Sequence, residues 1–153
     1  ATVEEAPVEE PSEVAADEAV TDEAATVEDL NKSLNSIFFG FDKFSIDQAQ
    51  KTNLDAAIKV LQGNSELYIS LSGHTDERGN KIYNMGLSAY RAEAVKEYLV
   101  ANGIDSSRII CFAYGEDFPL KKEHNKSAWY FNRRVDIMVW NNLPVKEQGI
   151  KSE

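Results

Sequence analysis

The run Gly73-His74-Thr75-Asp76-Glu77-Arg78-Gly79-Asn80 places an imidazole, a hydroxyl, two carboxylates and a guanidinium in one short polar segment bounded by glycines. Further on, Leu87, Arg91, Ala94 and Val95 recur at i, i+4, i+7 and i+8, so the Arg91 guanidinium lies on or beside the apolar face of a helix. An unpaired charge aimed inward is expensive, and Asp76 is the nearest carboxylate to partner it. Such a pair fits two roles equally well: a plain ion pair between loop and helix, or an acid and a base held open for a charged ligand. Catalysis is a poorer fit. His74 and Asp76 are two residues apart, His124 belongs to a distant polar segment, and no third ligand, serine elbow or second poised carboxylate accompanies them. Neither a metal nor another cofactor is expected, and the chain is not expected to be an enzyme.

Alternating elements must position these groups. Ser36–Phe41 is β-prone, and Asp47–Gln62 puts Leu54, Ala57, Ile58 and Leu61 at helical spacing before Gly63-Asn64 stops the pattern. Leu67–Leu71 alternates as a strand and leads into the polar run, which therefore forms a loop at the strand's carboxyl end, where α/β sheets place ligands. Residues 86–101 carry Leu87, Tyr90, Ala94, Val95, Tyr98 and Leu99 on one helical stripe ended by Asn102-Gly103. Ile109–Tyr114 reads as a third strand. Val135–Trp140 reads as a fourth, with Val135, Ile137 and Val139 facing one way and Asp136, Met138 and Trp140 the other. The order β-α-β-α-β-β predicts an α/β (α+β) sandwich, two main helices packed on a small mixed sheet. Cys111 sits in an apolar run and is expected to be a buried small residue, with no intrachain disulfide available to a lone cysteine.

Charge divides the chain of 153 residues unevenly. Residues 1–30 hold 11 of the 26 acidic side chains and no Lys or Arg, so the net charge of −10 is a property of the N-terminus, and the other 15 acids nearly balance the 16 bases. Residues 1–26 mix Ala, Val, Glu, Asp, Thr and Pro without an aromatic, a composition that cannot bury enough apolar area to offset the entropy of ordering. They are expected to form a disordered acidic tether, followed by one domain over 27–143 and a flexible C-terminal tail over 144–153. Thr26, with Asp29 three residues later and then Leu30, is a weak helix start. No basic stripe interleaved with aromatics is present, and nucleic acid is a poor partner. No run approaches the roughly 20 apolar residues of a membrane span. Any membrane attachment is expected only through a lipid anchor upstream of Ala1.

Residues from about 36 to 140 resemble the OmpA-like C-terminal domain. The resemblance rests on Ile37-Phe38-Phe39-Gly40-Phe41-Asp42-Lys43, Gly73-His74-Thr75-Asp76, Asn84 followed by Leu87-Ser88 and Arg91-Ala92, Tyr114-Gly115-Glu116 with Pro119, and Asn132-Arg133-Arg134-Val135. Thr-Asp-Glu-Arg-Gly at 75–79 is most similar to the lipoprotein members of that family, although these often carry Leu-Gly where this chain has Leu87-Ser88. The resemblance implies non-covalent binding of peptidoglycan through the diaminopimelate of uncrosslinked stem peptides, at the periplasmic face of a Gram-negative outer membrane. It also implies contacts with Tol-system proteins such as TolB. Diaminopimelate ends in an ammonium and a carboxylate on one carbon. Asp76 would accept from the first and Arg91 would hold the second bidentately. Matching motif positions nominate Asp42, Thr75, Asn84 and Arg133 as further groove residues. For Asp42 a simple turn role remains open, and for Asn84 a helix-capping role. The same domain also serves as the wall anchor of flagellar stators and outer-membrane barrels, an alternative setting for the same chemistry.

Overall fold

A computed structural model describes residues 26–146. The tether expected over 1–26 lies, except for Thr26, outside the described residues, as do residues 147–153 of the expected C-terminal tail. Thr26 itself starts the first helix, α1 (Val27–Lys32). Its hydroxyl accepts from the Asp29 amide at 3.1 Å while the Asp29 carboxylate receives the Thr26 amide, so the two residues cap each other.

The remaining elements are β1 (Ile37–Phe38), α2 (Gln48–Gly63), β2 (Tyr68–His74), α3 (Lys81–Ala101), β3 (Ile109–Gly115), α4 (Lys126–Asn132) and β4 (Arg134–Trp140), with a 3-10 turn at Ser106–Arg108. They form the expected α/β arrangement: a mixed sheet in the order β1-β4-β2-β3, with β2 and β3 parallel and the other pairs antiparallel. The short helix α1 follows the start read at Thr26, and the short helix α4 is an addition to the element order read from the sequence.

Alternation along the strands separates two chemically distinct faces. Register places Ile69 opposite Val139 and Ile109, Leu71 opposite Ile137 and Cys111, and Gly73 opposite Val135 and Ala113. The buried apolar members of this face join Leu54, Ala57, Ile58 and Leu61 of α2 and Ala92, Val95 and Leu99 of α3 in one core. Cys111 packs against that core half-buried, and burial pushes its thiol up to about 11, as expected of an unreactive interior cysteine. The opposite face carries Ser70, Ser72, His74, Arg134 and Asp136, all buried.

One contact fixes how closely α3 lies on the sheet. A Cβ built on Gly73 would meet the Ser88 carbonyl oxygen at 2.0 Å. Only a glycine on β2 therefore lets this turn of the helix approach, and that approach brings Arg91 up to the end of the strand. Ser88, where the resemblance would often have glycine, is accommodated by two hydrogen bonds. Its hydroxyl donates to Met85 O at 2.7 Å and accepts the Gly115 amide at 3.0 Å.

Two boundaries differ from the sequence reading. The first strand keeps only Ile37–Phe38, because Gly40 to Lys43 fold into a turn in which Asp42 adopts φ 59°. The second main helix, α3, starts five residues earlier than expected. Asn80 caps it by accepting the Ile82 and Tyr83 amides, and its first turns invert the usual pattern by exposing Ile82 and Tyr83 and burying Asn84.

Candidate functional site

The β2–α3 loop, the β1–α2 turn and the first half of α3 enclose a cleft of about 200 Å³. The turn contributes Phe41 and Asp42, the loop contributes Thr75, Asp76, Arg78 and Gly79, and the helix contributes Tyr83, Asn84, Leu87 and Arg91. Five of the six residues nominated from the sequence thus share one cavity. Arg133 is not among its lining residues, but it reaches the same carboxylate from the side, with Nη1 3.6 Å from Asp76 Oδ2.

Arg91 is 1 % exposed, and its partners differ from the carboxylate expected of it. Nε donates to Lys43 O at 2.8 Å, Nη1 to His74 O at 2.9 Å and Nη2 to Gly40 O at 3.1 Å. The direct Asp76–Arg91 ion pair is therefore a correction to the sequence reading: three backbone carbonyls, converging from the strand end and the β1–α2 turn, solvate the guanidinium instead. Burial pushes its pKa down to about 10, with the Asp76 charge the leading opposing influence, so Arg91 stays a cation at neutral pH. Each terminal nitrogen keeps a hydrogen beyond those given to the protein, which is what a carboxylate held at two points requires.

Asp76 has its own partners. Oδ1 accepts from the Arg78 amide at 2.9 Å and from Arg78 Nε at 3.2 Å, and Oδ2 accepts from Arg78 Nη2 at 2.8 Å. A carboxylate offers roughly four acceptor positions, so one on Oδ2 remains for a further donor. Arg78 is itself clamped flat, its guanidinium 3.9 Å from the Phe41 ring centroid and 4.2 Å from that of Trp129. From the sequence Arg78 is legible only as a member of the polar run at 73–80, not as a site residue. No local pattern reveals that Phe41 and Trp129 meet from opposite ends of the chain.

The other nominated residues divide by role. Thr75 is buried, and its hydroxyl finds no hydrogen-bond partner among the described residues. Asp42 satisfies both readings at once, occupying the left-handed turn while lining the cleft and accepting from the Tyr83 hydroxyl. Asn84 does not cap the helix, since Asn80 does. Its amide donates to Arg78 O at 3.1 Å and Glu116 Oε1 at 2.9 Å, tying the loop to α3.

His74 belongs elsewhere. It points to the opposite face of the sheet, stacked on Tyr114, with Nε2 3.5 Å from Asp136 Oδ2. His124 pairs with Glu77, which also accepts from the Trp129 indole. The imidazoles and Asp76 therefore do not converge as a catalytic or metal-binding set.

The model described as OmpA family matches residues 38–133, spanning every cleft residue. The chain belongs to the OmpA family. Among relatives of this OmpA-family chain is the peptidoglycan-associated lipoprotein of Pasteurella multocida, 38% identical over 110 residues, covering 72% of this chain and 73% of the relative. The protein of the same name from Pseudomonas aeruginosa is 34% identical over 123 residues, covering 80% and 70%. The crystal structure of the peptidoglycan-associated lipoprotein from Burkholderia pseudomallei superposes with a TM-score of 0.69 at 29% identity, covering 72% of this chain and 93% of that one. The C-terminal domain of Helicobacter pylori MotB shares the fold, with a TM-score of 0.66 at 21% identity.

Proposed function

We propose that this OmpA-family domain binds peptidoglycan non-covalently and without catalysis, reading the diaminopimelate of uncrosslinked stem peptides in the cleft between Asp76 and Arg91. The observation that carries this reading is the pairing of opposite charges in one small cleft. Asp76 retains an acceptor position and Arg91 retains paired donors, both buried, both opening beside the unpartnered hydroxyl of Thr75. An α-amino acid zwitterion supplies the complementary ammonium and carboxylate on a single carbon. Asp42 and Asn84 shape the walls, and Arg133 balances the charge of Asp76.

The relatives' name, peptidoglycan-associated lipoprotein, supports the same ligand. On that likeness the chain works at the periplasmic face of a Gram-negative outer membrane, lipid-anchored, linking membrane to wall and contacting Tol-system proteins such as TolB. Co-sedimentation with purified sacculi tests the binding. The wild-type domain is expected in the pellet and Asp76→Asn in the supernatant, whereas equal recovery of both would remove this cleft from the interaction. Muropeptides released during that incubation would contradict the non-catalytic reading.

A further inference from the structure

Beside the cleft, the outer surface of α3 and the β1–α2 loop form an uncharged aromatic platform lined by Phe44, Ile82, Tyr83, Gly86, Leu87 and Tyr90. Its members are unusually open for such side chains: Phe44 is 49% exposed, Ile82 84% and Tyr90 61%. Phe44 and Tyr90 stack at 5.2 Å between ring centroids and 28° between planes, so each ring covers one face of the other and keeps its second face for a further contact. Tyr83 and Leu87 line both this platform and the Asp76–Arg91 cleft, so the two are continuous.

We infer that this platform is a sugar subsite, receiving the amino-sugar ring from which the bound stem peptide hangs. The inference rests on the peptide reading above and extends it along the ligand. Diaminopimelate is the third residue of a stem peptide joined to a muramic acid ring, so two residues of extended chain, roughly 7 Å, separate it from the ring. A surface contiguous with the cleft is within that reach.

The platform's chemistry suits this occupant. A pyranose has C–H-rich faces that lie flat on aromatic rings while its hydroxyls stay at the rim in water, and a neutral ring needs no counter-charge. The lining contains no ionisable acid or base other than tyrosine hydroxyls. This contrasts with the neighbouring cleft, whose lining includes Asp42, Asp76, Arg78 and Arg91.

Calorimetric titration of the domain with the diaminopimelate tripeptide alone, and with the same tripeptide carrying N-acetylmuramic acid, tests the inference. The muramyl form is expected to bind roughly three- to tenfold more tightly, the size of one ring-on-ring contact. Tyr90→Ala and Ile82→Ser should each reduce that gain while leaving the affinity for the bare tripeptide unchanged. Both residues are exposed, so neither variant threatens the fold. Equal affinity of wild type for the two ligands, or an undiminished gain in both variants, overturns the sugar subsite while sparing the peptide reading. If neither ligand binds, the peptide reading fails and the subsite falls with it. Concentration-dependent dimerisation that disappears in Tyr90→Ala, with no muramyl gain, would assign the platform to a second copy instead.

Discussion

Arg78 lies against Asp76 with Nη2 2.8 Å from Oδ2, so the carboxylate proposed to receive the ligand's ammonium is already held by a cation of its own loop. That contact shapes the loop and leaves Asp76 surrounded by Arg78, Arg133 and, more distantly, Arg91. Asp76→Asn should then do two things at once. It should weaken binding of a diaminopimelate peptide about tenfold or more, and it should lower stability by on the order of 1–3 kcal/mol because three guanidinium groups lose their shared counter-charge. Calorimetry and thermal melting measure the two effects separately, and a variant with unchanged affinity would sever Asp76 from ligand recognition.

Arg91→Ala is expected to cost on the order of 3 kcal/mol of stability as well as binding, since three carbonyl oxygens lose a charged donor in a buried position. Arg91→Lys should recover part of the stability, an ammonium reaching one or two of those carbonyls. It should recover less of the affinity, lacking the planar fork that holds a carboxylate at two points. Chemical denaturation alongside titration separates the effects. Full recovery of affinity in Arg91→Lys would show that only charge, and not geometry, is read.

Gly73→Ala provides a test of the helix placement. The added methyl would stand 2.0 Å from the Ser88 carbonyl oxygen, a backbone atom that cannot rotate away. α3 must shift off β2, with a destabilisation of about 3 kcal/mol or more, in the range of severe overpacking. A melting temperature within a degree or two of wild type would contradict the close approach.

Stability should also fall as the solution is made mildly acidic. Burial depresses the pKa of His74 below its ordinary 6.5, so the unfolded chain takes up a proton that the folded chain resists. This contribution is complete above about pH 6.5 and shrinks as pH falls through that value toward the depressed folded pKa. Asp136 adds a second loss at lower pH. Burial alone would raise it, but the His74 imidazole beside it, the Arg134 charge and a hydrogen bond from Ser36 hold it well below the usual carboxylate range. Its contribution is therefore lost only below pH 4 or so. Melting temperatures between pH 7 and 5 should decline for wild type and decline less for His74→Phe, which keeps the stack on Tyr114. A flat wild-type curve over that window would contradict a buried neutral imidazole.

Much of this arrangement could be read from periodicity, and the parts that could not share a cause. The strands alternate apolar residues facing the core with polar ones on the opposite face, and the helix at 48–63 has one buried and one solvated side, so each imprints its own period on the residue pattern. Near the cleft the imprint reverses. The start of α3 exposes Ile82 and Tyr83 and buries Asn84, and the sequence therefore suggested a later start. Arg91 could be singled out because a charged residue on an inward helix face is anomalous, and Asp76 because it is the nearest carboxylate in the preceding loop. Their partners could not, because the carbonyls of Gly40 and Lys43 are backbone groups contributed by a turn 51 and 48 residues away from Arg91. The Phe41–Arg78–Trp129 sandwich is hidden for the same reason. Arg133 and Arg134 look alike in sequence, yet one turns to Asp76 and Phe39 O while the other is buried against Asp136 on the far face.

The cleft is proposed to recognise a zwitterion at two points. Calorimetric titration of the domain with two stem peptides, one carrying diaminopimelate and one carrying lysine at that position, tests it most directly. Lysine keeps the ammonium for Asp76 but leaves Arg91 without a carboxylate. The diaminopimelate peptide should bind at least about tenfold more tightly, since losing one side of a partly solvated charge pair costs roughly 1.4 kcal/mol or more. Equal dissociation constants for the two peptides would contradict two-point recognition even if the domain still bound the wall.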